Sequence, residues 1–179
     1  DSYKVMEKKS NIRILKADFS KYQEMEYDIK SLKNKILIQT SDIVKLKKSN
    51  LKTVTKKEPS ASQLEDLIFA FKISRYVKSN SIVFAKNKRT LAIGAGQMSR
   101  IDSTSIAIKK AKKNKINLKN SVMASEAFFP FRDNIDLANK VGVKSIIQPG
   151  GSIKDSEIIK IADEHKMSMV FSKIRVFKH

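Results

Sequence analysis

Ser81-Ile82-Val83-Phe84-Ala85, followed by Asn87-Lys88-Arg89, Leu91-Ala92-Ile93 and then Gly94-Ala95-Gly96-Gln97-Met98-Ser99-Arg100, is the stretch from which the fold can be read. The small and apolar run at its start reads as a buried strand, Asn87 to Arg89 as a hairpin turn, and Leu91 to Ile93 as the returning strand. The small-residue loop then leads into a helix expected from about Ser103 to Lys113. Upstream, Ser60 or Ser62 can cap a helix in which Leu64, Leu67, Ile68, Phe71 and Tyr76 recur at helical spacing, with Glu65 and Asp66 in its first turn. Downstream, Val122-Met123-Ala124, Ser145-Ile146-Ile147-Gln148 and Met167 to Phe171 read as strands. Helices are expected between them from about Asn134 to Lys140 and from about Asp155 to His165. Strands alternating with such helices give an α/β fold, a mixed sheet flanked by helices, whose strand-end loops are the place for a site.

The region before this is less regular. Ile12-Arg13-Ile14-Leu15 and Lys35-Ile36-Leu37-Ile38-Gln39 read as strands, but the polar stretch from Tyr22 to Asn34 and the charged one from Lys45 to Lys57 offer little core. Residues 1–50 are therefore expected to be a connecting segment or the end of a preceding region, and 51–179 the α/β unit. The first residue is Asp1 rather than Met, which leaves room for a start upstream.

Composition narrows the chemistry. The 179 residues carry 37 Lys and Arg against 18 Asp and Glu, a formal charge of +19, which points first to a phosphate-rich partner. Only six of those 37 are Arg, however, and the Lys residues are scattered rather than interleaved with aromatics, so the excess reads mainly as compositional background. Cys is absent, which excludes a disulfide framework, a thiolate zinc site and a Cys nucleophile. The two histidines, His165 and His179, exclude a multi-histidine metal site, and no metal is expected. No apolar run approaches the roughly 18 residues of a membrane span and no secretory leader opens the chain, so a soluble, cytoplasmic protein is expected.

Three strand-end loops could carry chemistry. Gly94 to Arg100 combines glycines that allow close approach, a helix start with free N–H groups, and the fixed fork of Arg100, yet it matches neither standard nucleotide-binding pattern. Phe128-Phe129-Pro130-Phe131-Arg132-Asp133-Asn134 is either a core plug or a stacking platform for a planar heterocycle. Gln148-Pro149-Gly150-Gly151-Ser152 could hold an anion or simply turn the chain. Taken singly, His165 reads as a solvated residue at a helix C-terminus, Arg175 as a surface charge, and Asn80 as a turn residue.

Taken together and in order, these segments resemble a known family. Lys78-Ser79-Asn80-Ser81-Ile82-Val83, Gly94 to Arg100, Ala127 to Asp133, Ile147 to Ser152, Ala162-Asp163-Glu164-His165 and the ending Arg175-Val176-Phe177-Lys178-His179 are similar to the C-terminal part of the bifunctional purine biosynthesis enzymes, which join AICAR transformylase to IMP cyclohydrolase. Thr53 to Pro59 looks like the family segment that precedes this region, and the resemblance extends over roughly Ile36 to His179.

The resemblance implies a cytidine deaminase-like subdomain of the transformylase and a formyl transfer from 10-formyltetrahydrofolate, as cosubstrate, to the 5-amino group of AICAR. It further implies a homodimer with sites at the interface, and neither a nucleic-acid nor a membrane partner. By resemblance, Asn80 stands beside the reacting amine and formyl group, where its amide could orient the nucleophile and donate to the oxyanion. His179 matches the family's terminal histidine. Arg100, Phe128 and Arg175 match substrate-binding positions, and Ile101, Phe131, Asp133, Asn134 and Ser152 match folate contacts. Glu126 stands where the family usually has Asp, and Lys178 replaces a more usual Arg or His. The family's Lys-His pair, which carries the expected general base, has no counterpart before Lys178-His179, so a half-site is expected: ligand-binding residues without the main base. A basic nucleic-acid-binding module and a non-catalytic assembly fragment are the alternative readings.

Overall fold

The structure, a computed structural model, describes residues 2–18, 27–41 and 46–177. The chain divides into two compact units, residues 1–43 and 44–179. The first holds a short helix α1 (Ser2–Met6) and a two-stranded antiparallel ribbon, β1 (Tyr27–Leu32) and β2 (Lys35–Thr40), in register from Tyr27 opposite Thr40 to Leu32 opposite Lys35. Strand β2 is the one expected at Lys35 to Gln39. Ile12 to Leu15, expected as a strand, has no regular structure and is exposed. It has no ladder partner among the described residues, and an unpaired extended segment gains nothing from its β-branched residues.

The second unit runs through a 3-10 turn (Lys48–Asn50), β3 (Lys52–Thr53), α2 (Ala61–Ser74), β4 (Ile82–Lys86), β5 (Arg89–Gly94), α3 (Arg100–Lys113), β6 (Val122–Ser125), α4 (Asp133–Lys140), β7 (Ser145–Gln148), α5 (Asp155–Glu164) and β8 (Ser168–Phe171). Its six strands form one mixed sheet in the order β3-β8-β7-β6-β4-β5. β6, β7 and β8 are parallel to one another, and the remaining pairings are antiparallel.

Both faces of this sheet are covered, which explains why its central strands are mostly apolar. Ile82 and Phe84 alternate with Val83 and Ala85 along β4, and the two sets enter different cores. On one face Ile82, Phe84, Met123, Ile146 and Met169 pack with Ala107 and Ala111 of α3, Ile135 and Ala138 of α4, and Ile158 and Ile161 of α5. On the other, Val83, Ala85, Val122, Ala124, Ile147 and Val170 pack with Leu67, Ala70 and Phe71 of α2. The expected α/β architecture, a mixed sheet flanked by helices, is the one observed.

Helix starts differ from the sequence reading in an informative way. Ser60 caps α2 through a reciprocal box: its hydroxyl accepts from the Gln63 N–H at 3.2 Å and the Gln63 side chain accepts from the Ser60 N–H at 2.9 Å. Glu65 and Asp66 thus lie beyond the first turn. Asp66 is buried and accepts from the backbone N–H groups of Asn87 and Lys88, at 2.9 and 2.7 Å, so it braces the β4–β5 turn instead of the helix dipole. Helix α3 starts at Arg100, because the Ser99 hydroxyl accepts from the Asp102 N–H at 3.1 Å. Tyr76 lies past the end of α2 and is exposed.

At the sheet edge, β3 covers β8 with two residues, Lys52 opposite Phe171 and Thr53 opposite Val170. The Val54 N–H then donates to the Met169 carbonyl at 3.0 Å, and the Met169 N–H donates to the Thr55 hydroxyl at 2.8 Å.

Candidate active site

Strand direction gathers the three loops. Because β6, β7 and β8 run parallel while β4 opposes β6 and β5 opposes β4, the ends of β5, β6, β7 and β8 and the start of β4 lie along one sheet edge. This edge holds Asn80, Gly94 to Arg100, Glu126 to Asp133, Gln148 to Ser152, and the segment after β8.

Asn80 is half-buried and follows a cis Ser79–Asn80 peptide. Its Nδ2 donates to the carbonyls of Gln97, at 3.0 Å, and Met98, at 3.2 Å, and its backbone carbonyl accepts from the Ser103 hydroxyl at 2.7 Å. The Gly96 N–H donates to the Lys78 carbonyl at 2.7 Å, completing the clamp between the two loops. With both amide hydrogens bound to the loop, Oδ1 is the side-chain atom left to meet a ligand, and it is an acceptor suited to an amine N–H. Gly94 is required at this junction, since a Cβ there would overlap the backbone carbonyl of Ser103.

The centre of the edge is a charge cluster built on one buried carboxylate, with Arg100 half-buried and Arg175 exposed. Glu126 is fully buried; its Oε2 accepts from the Ser81 hydroxyl at 3.3 Å and its Oε1 lies 3.4 Å from Nη2 of Arg100. Arg100 is 14% exposed, and its Nε is buried without a hydrogen-bond partner. Burial pushes the Arg100 guanidinium below its ordinary value; Glu126 opposes that, and the nearby charge of Arg175 reinforces it. Arg175 lies over two rings, 5.3 Å from the Phe128 centroid and 4.9 Å from that of Phe177. The Val176 N–H donates to the Glu126 carbonyl at 3.1 Å, which ties this last segment to the end of β6. Two guanidiniums beside one carboxylate leave local positive charge, which suits an anion or a polarised carbonyl oxygen.

The Phe128-to-Asn134 loop serves both readings made from sequence. Phe129 is a core plug, fully buried, with its N–H donating to the Gln148 side chain at 3.0 Å. Phe128 is partly exposed beside Arg175, and Phe131 is 55% exposed with Lys154 Nζ 4.5 Å from its centroid. Asp133 is half-buried at the start of α4, and its Oδ1 accepts from the Asn134 N–H, at 2.7 Å, and from Asn134 Nδ2, at 2.9 Å. Asn134 is itself buried, with Oδ1 accepting from the Thr104 hydroxyl at 2.7 Å. Ile101 is half-buried on the first turn of α3. Ser152 is half-buried, and its hydroxyl accepts from the Lys154 N–H at 3.1 Å.

The edge thus brings together Asn80, Arg100, Phe128 and Arg175, with Ile101, Phe131, Asp133, Asn134 and Ser152 on the adjoining loops and helix starts. His179 lies outside the described residues. His165 is a correction to the sequence reading: it is no solvated cap but is held between Asn139 Nδ2, 3.0 Å from its Nδ1, and Asp136 Oδ1, 2.7 Å from its Nε2. Arg132 binds the same Asp136 with two nitrogens, at 2.8 and 3.2 Å. The sequence reading gave no site role to Ser81, Ser103 or Thr104, ordinary residues inside elements that only the fold turns toward the edge. Among the described residues no group of three or more His, Asp or Glu side chains could hold a metal ion. No helix among them is long and apolar enough to cross a membrane.

Comparison with known proteins supplies the family. The family model described as the AICARFT/IMPCHase bienzyme matches residues 1–110. Relatives include the bifunctional purine biosynthesis protein PurH of Xanthomonas campestris pv. campestris, 48% identical over 96% of this chain and 32% of its own length. The PurH of Persephonella marina is 50% identical over 97% of this chain and 33% of its own. The chain therefore spans about a third of the curated relatives it matches. Among solved structures, the dCMP deaminase of the cyanophage S-TIM5, in complex with dCMP and dUMP, is similar with a TM-score of 0.43 and 15% identity, over 63% of this chain and 98% of the deaminase. On the family match and the identity along nearly its whole length, the chain belongs to the AICARFT/IMPCHase bienzyme family.

Proposed function

We propose that this chain is the C-terminal, transformylase part of a bifunctional purine biosynthesis enzyme, and that its sheet edge binds AICAR and 10-formyltetrahydrofolate for formyl transfer to the 5-amino group, giving FAICAR. The observation that carries the reading is the convergence of Asn80, Arg100, Phe128 and Arg175, from four separate segments, on one positively charged edge around the buried Glu126.

The chemistry asks for what this edge offers. An amine conjugated to an imidazole carboxamide is a weak nucleophile, so it must be oriented, relieved of a proton, and matched to an electrophile whose oxygen can take up charge. Asn80 Oδ1 can accept one amine hydrogen and aim the lone pair at the formyl carbon. As the new C–N bond forms, the formyl C=O pair moves onto oxygen; it returns when the bond to the folate nitrogen breaks and that nitrogen takes a proton. The Arg100 guanidinium can stabilise the oxygen or hold the carboxamide, and Arg175 on Phe128 can take the nucleotide side. Asp133, with Ile101, Phe131, Asn134 and Ser152 around it, suits the N–H groups of a pterin ring. The proton acceptor belongs, on this reading, to the upstream transformylase segment. The same reading places the enzyme in the cytosol as a homodimer with shared sites.

The test is formyl transfer by a polypeptide that carries this sequence extended to the length of its relatives, compared with this chain alone. The longer chain should be active and the shorter one inactive or nearly so. In the longer chain, Asn80→Ala should lower turnover on the order of a hundredfold, the cost of a misaligned nucleophile, since its amide hydrogens are held by the loop rather than free for the oxyanion. An unchanged rate would remove the role given to Asn80, and equal activity in the two chains would sink the half-site.

A further inference from the structure

Two neighbouring hydroxyls on α3 reach the two halves of the edge. Ser103 and Thr104 are both fully buried. Consecutive helical residues diverge by about 100° around the axis, so one helix turn can address two different neighbours. Ser103 donates to the Asn80 carbonyl at 2.7 Å. Thr104 donates to Asn134 Oδ1 at 2.7 Å, sharing its hydrogen with the Arg100 carbonyl at 2.9 Å. The Asn134 amide passes that constraint on, because its Nδ2 and N–H both bind Asp133 Oδ1.

We propose that Ser103 and Thr104 are positioning residues, which set the Asn80 half and the Asp133 half of the site from one rigid helical turn. The proposal rests on the reading of the site given above and extends it to residues that touch neither ligand. The turn is rigid for two local reasons: Ser99 caps it, and the missing Cβ of Gly94 lets the Ser103 backbone close onto the end of β5. Asn134 acts inward. Its side chain is buried against Thr104, and what it offers a ligand is an oriented Asp133, with Oδ1 saturated by two donors and Oδ2 left as the acceptor. Two reactants that must meet within a few tenths of an ångström are better served by one shared support than by two independent loops.

The experiment uses the polypeptide extended to the length of its relatives and separates KM from kcat. Thr104→Val keeps the shape and removes the hydroxyl; it should raise KM for 10-formyltetrahydrofolate about tenfold with kcat changed by less than about twofold. Thr104→Ser should restore the wild-type value, which a purely structural role for the methyl group would not allow. Asn134→Ala, which breaks the same link from its other side, should reproduce the KM increase even if the valine variant folds poorly. In an Asp133→Asn background Thr104→Val should add nothing further, because both act on the same carboxylate. Ser103→Ala should instead lower kcat, about tenfold, with the folate KM unchanged. If Asp133→Asn raises KM while Thr104→Val and Asn134→Ala do not, the positioning role is overturned and the site reading stands. If Asp133→Asn leaves KM unchanged, the folate reading of Asp133 falls and takes the Thr104 half with it.

Discussion

The fully buried carboxylate of Glu126 sits 3.4 Å from the guanidinium of Arg100, which is itself 14% exposed, so each is the other's main compensation for leaving water. A buried ion pair adds little net stability, but removing one member strands the other. Glu126→Ala is expected to lower unfolding stability by about 3 kcal/mol, measured by urea titration. Glu126→Asp keeps the charge and should cost less. Equal losses in the two variants would mean that packing, not charge, governs this position.

Gly94→Ala should be among the most damaging single changes in the second unit. The added methyl meets the Ser103 carbonyl, which is backbone and cannot rotate away, so α3 must shift from β5. A loss of about 2–4 kcal/mol is expected, read as a lowered Tm. Gly151→Ala is the comparison; no heavy atom lies within 4 Å of its added methyl, so only its φ of +94° opposes the change.

Asp66 supplies two hydrogen bonds to the β4–β5 turn, in which Asn87 and Lys88 both adopt positive φ, 53° and 52°. Asp66→Ala leaves two turn N–H groups without their acceptor and should cost about 1–3 kcal/mol. Hydrogen exchange at Asn87 and Lys88 reads this directly. Protection at those amides should fall further than in the distant β7, and uniform loss would show a global effect instead.

Asp136 carries the pH dependence. Its carboxyl is held down, from 3.8 to about 2, first by the hydrogen bond from Arg132 and then by that from His165. The folded value lies below the unfolded one, so the stabilisation is fully present above the unfolded value and disappears as pH falls through the folded one. Urea titrations across that acid window should show stability dropping as pH falls, and Asp136→Asn should flatten the slope. A variant with the wild-type slope would show that other carboxylates dominate.

How far the sequence carried the reading differs by element. Strands β4, β6, β7 and β8 are legible because a sheet covered on both faces is apolar at most central positions, and Ile82 to Ala85 or the Ile146-Ile147 pair supply that pattern. Ser99 is hidden as a cap because Gly94 to Ser99 reads as an uninterrupted loop, so the sequence pattern starts α3 about three residues late. β1 is hidden although Tyr27, Ile29 and Leu32 are apolar, because Asp28, Lys30 and Ser31 make the segment read as polar, and Ile12 to Leu15 looks more like a strand than it does. The motif loops could be recognised from their residues, but not what Asn80, Asn134 and His165 bind. Those partners lie as far apart in sequence as Thr104 and Asn134, or Asp136 and His165, and only the sheet brings them together.

The short cover that β3 gives β8 bears on how the protein avoids sticking to copies of itself. A bare strand edge invites a foreign strand to continue the ladder. Here the Thr55 hydroxyl takes the Met169 amide that such an intruder would claim, and the next two residues are drawn off the sheet: the Lys56 N–H goes to Asp163 and the Lys57 ammonium to the Lys166 carbonyl. Two lysines and then Pro59 follow within a few residues, so this border offers charge and a missing donor where an aggregating chain needs a clean row of amides.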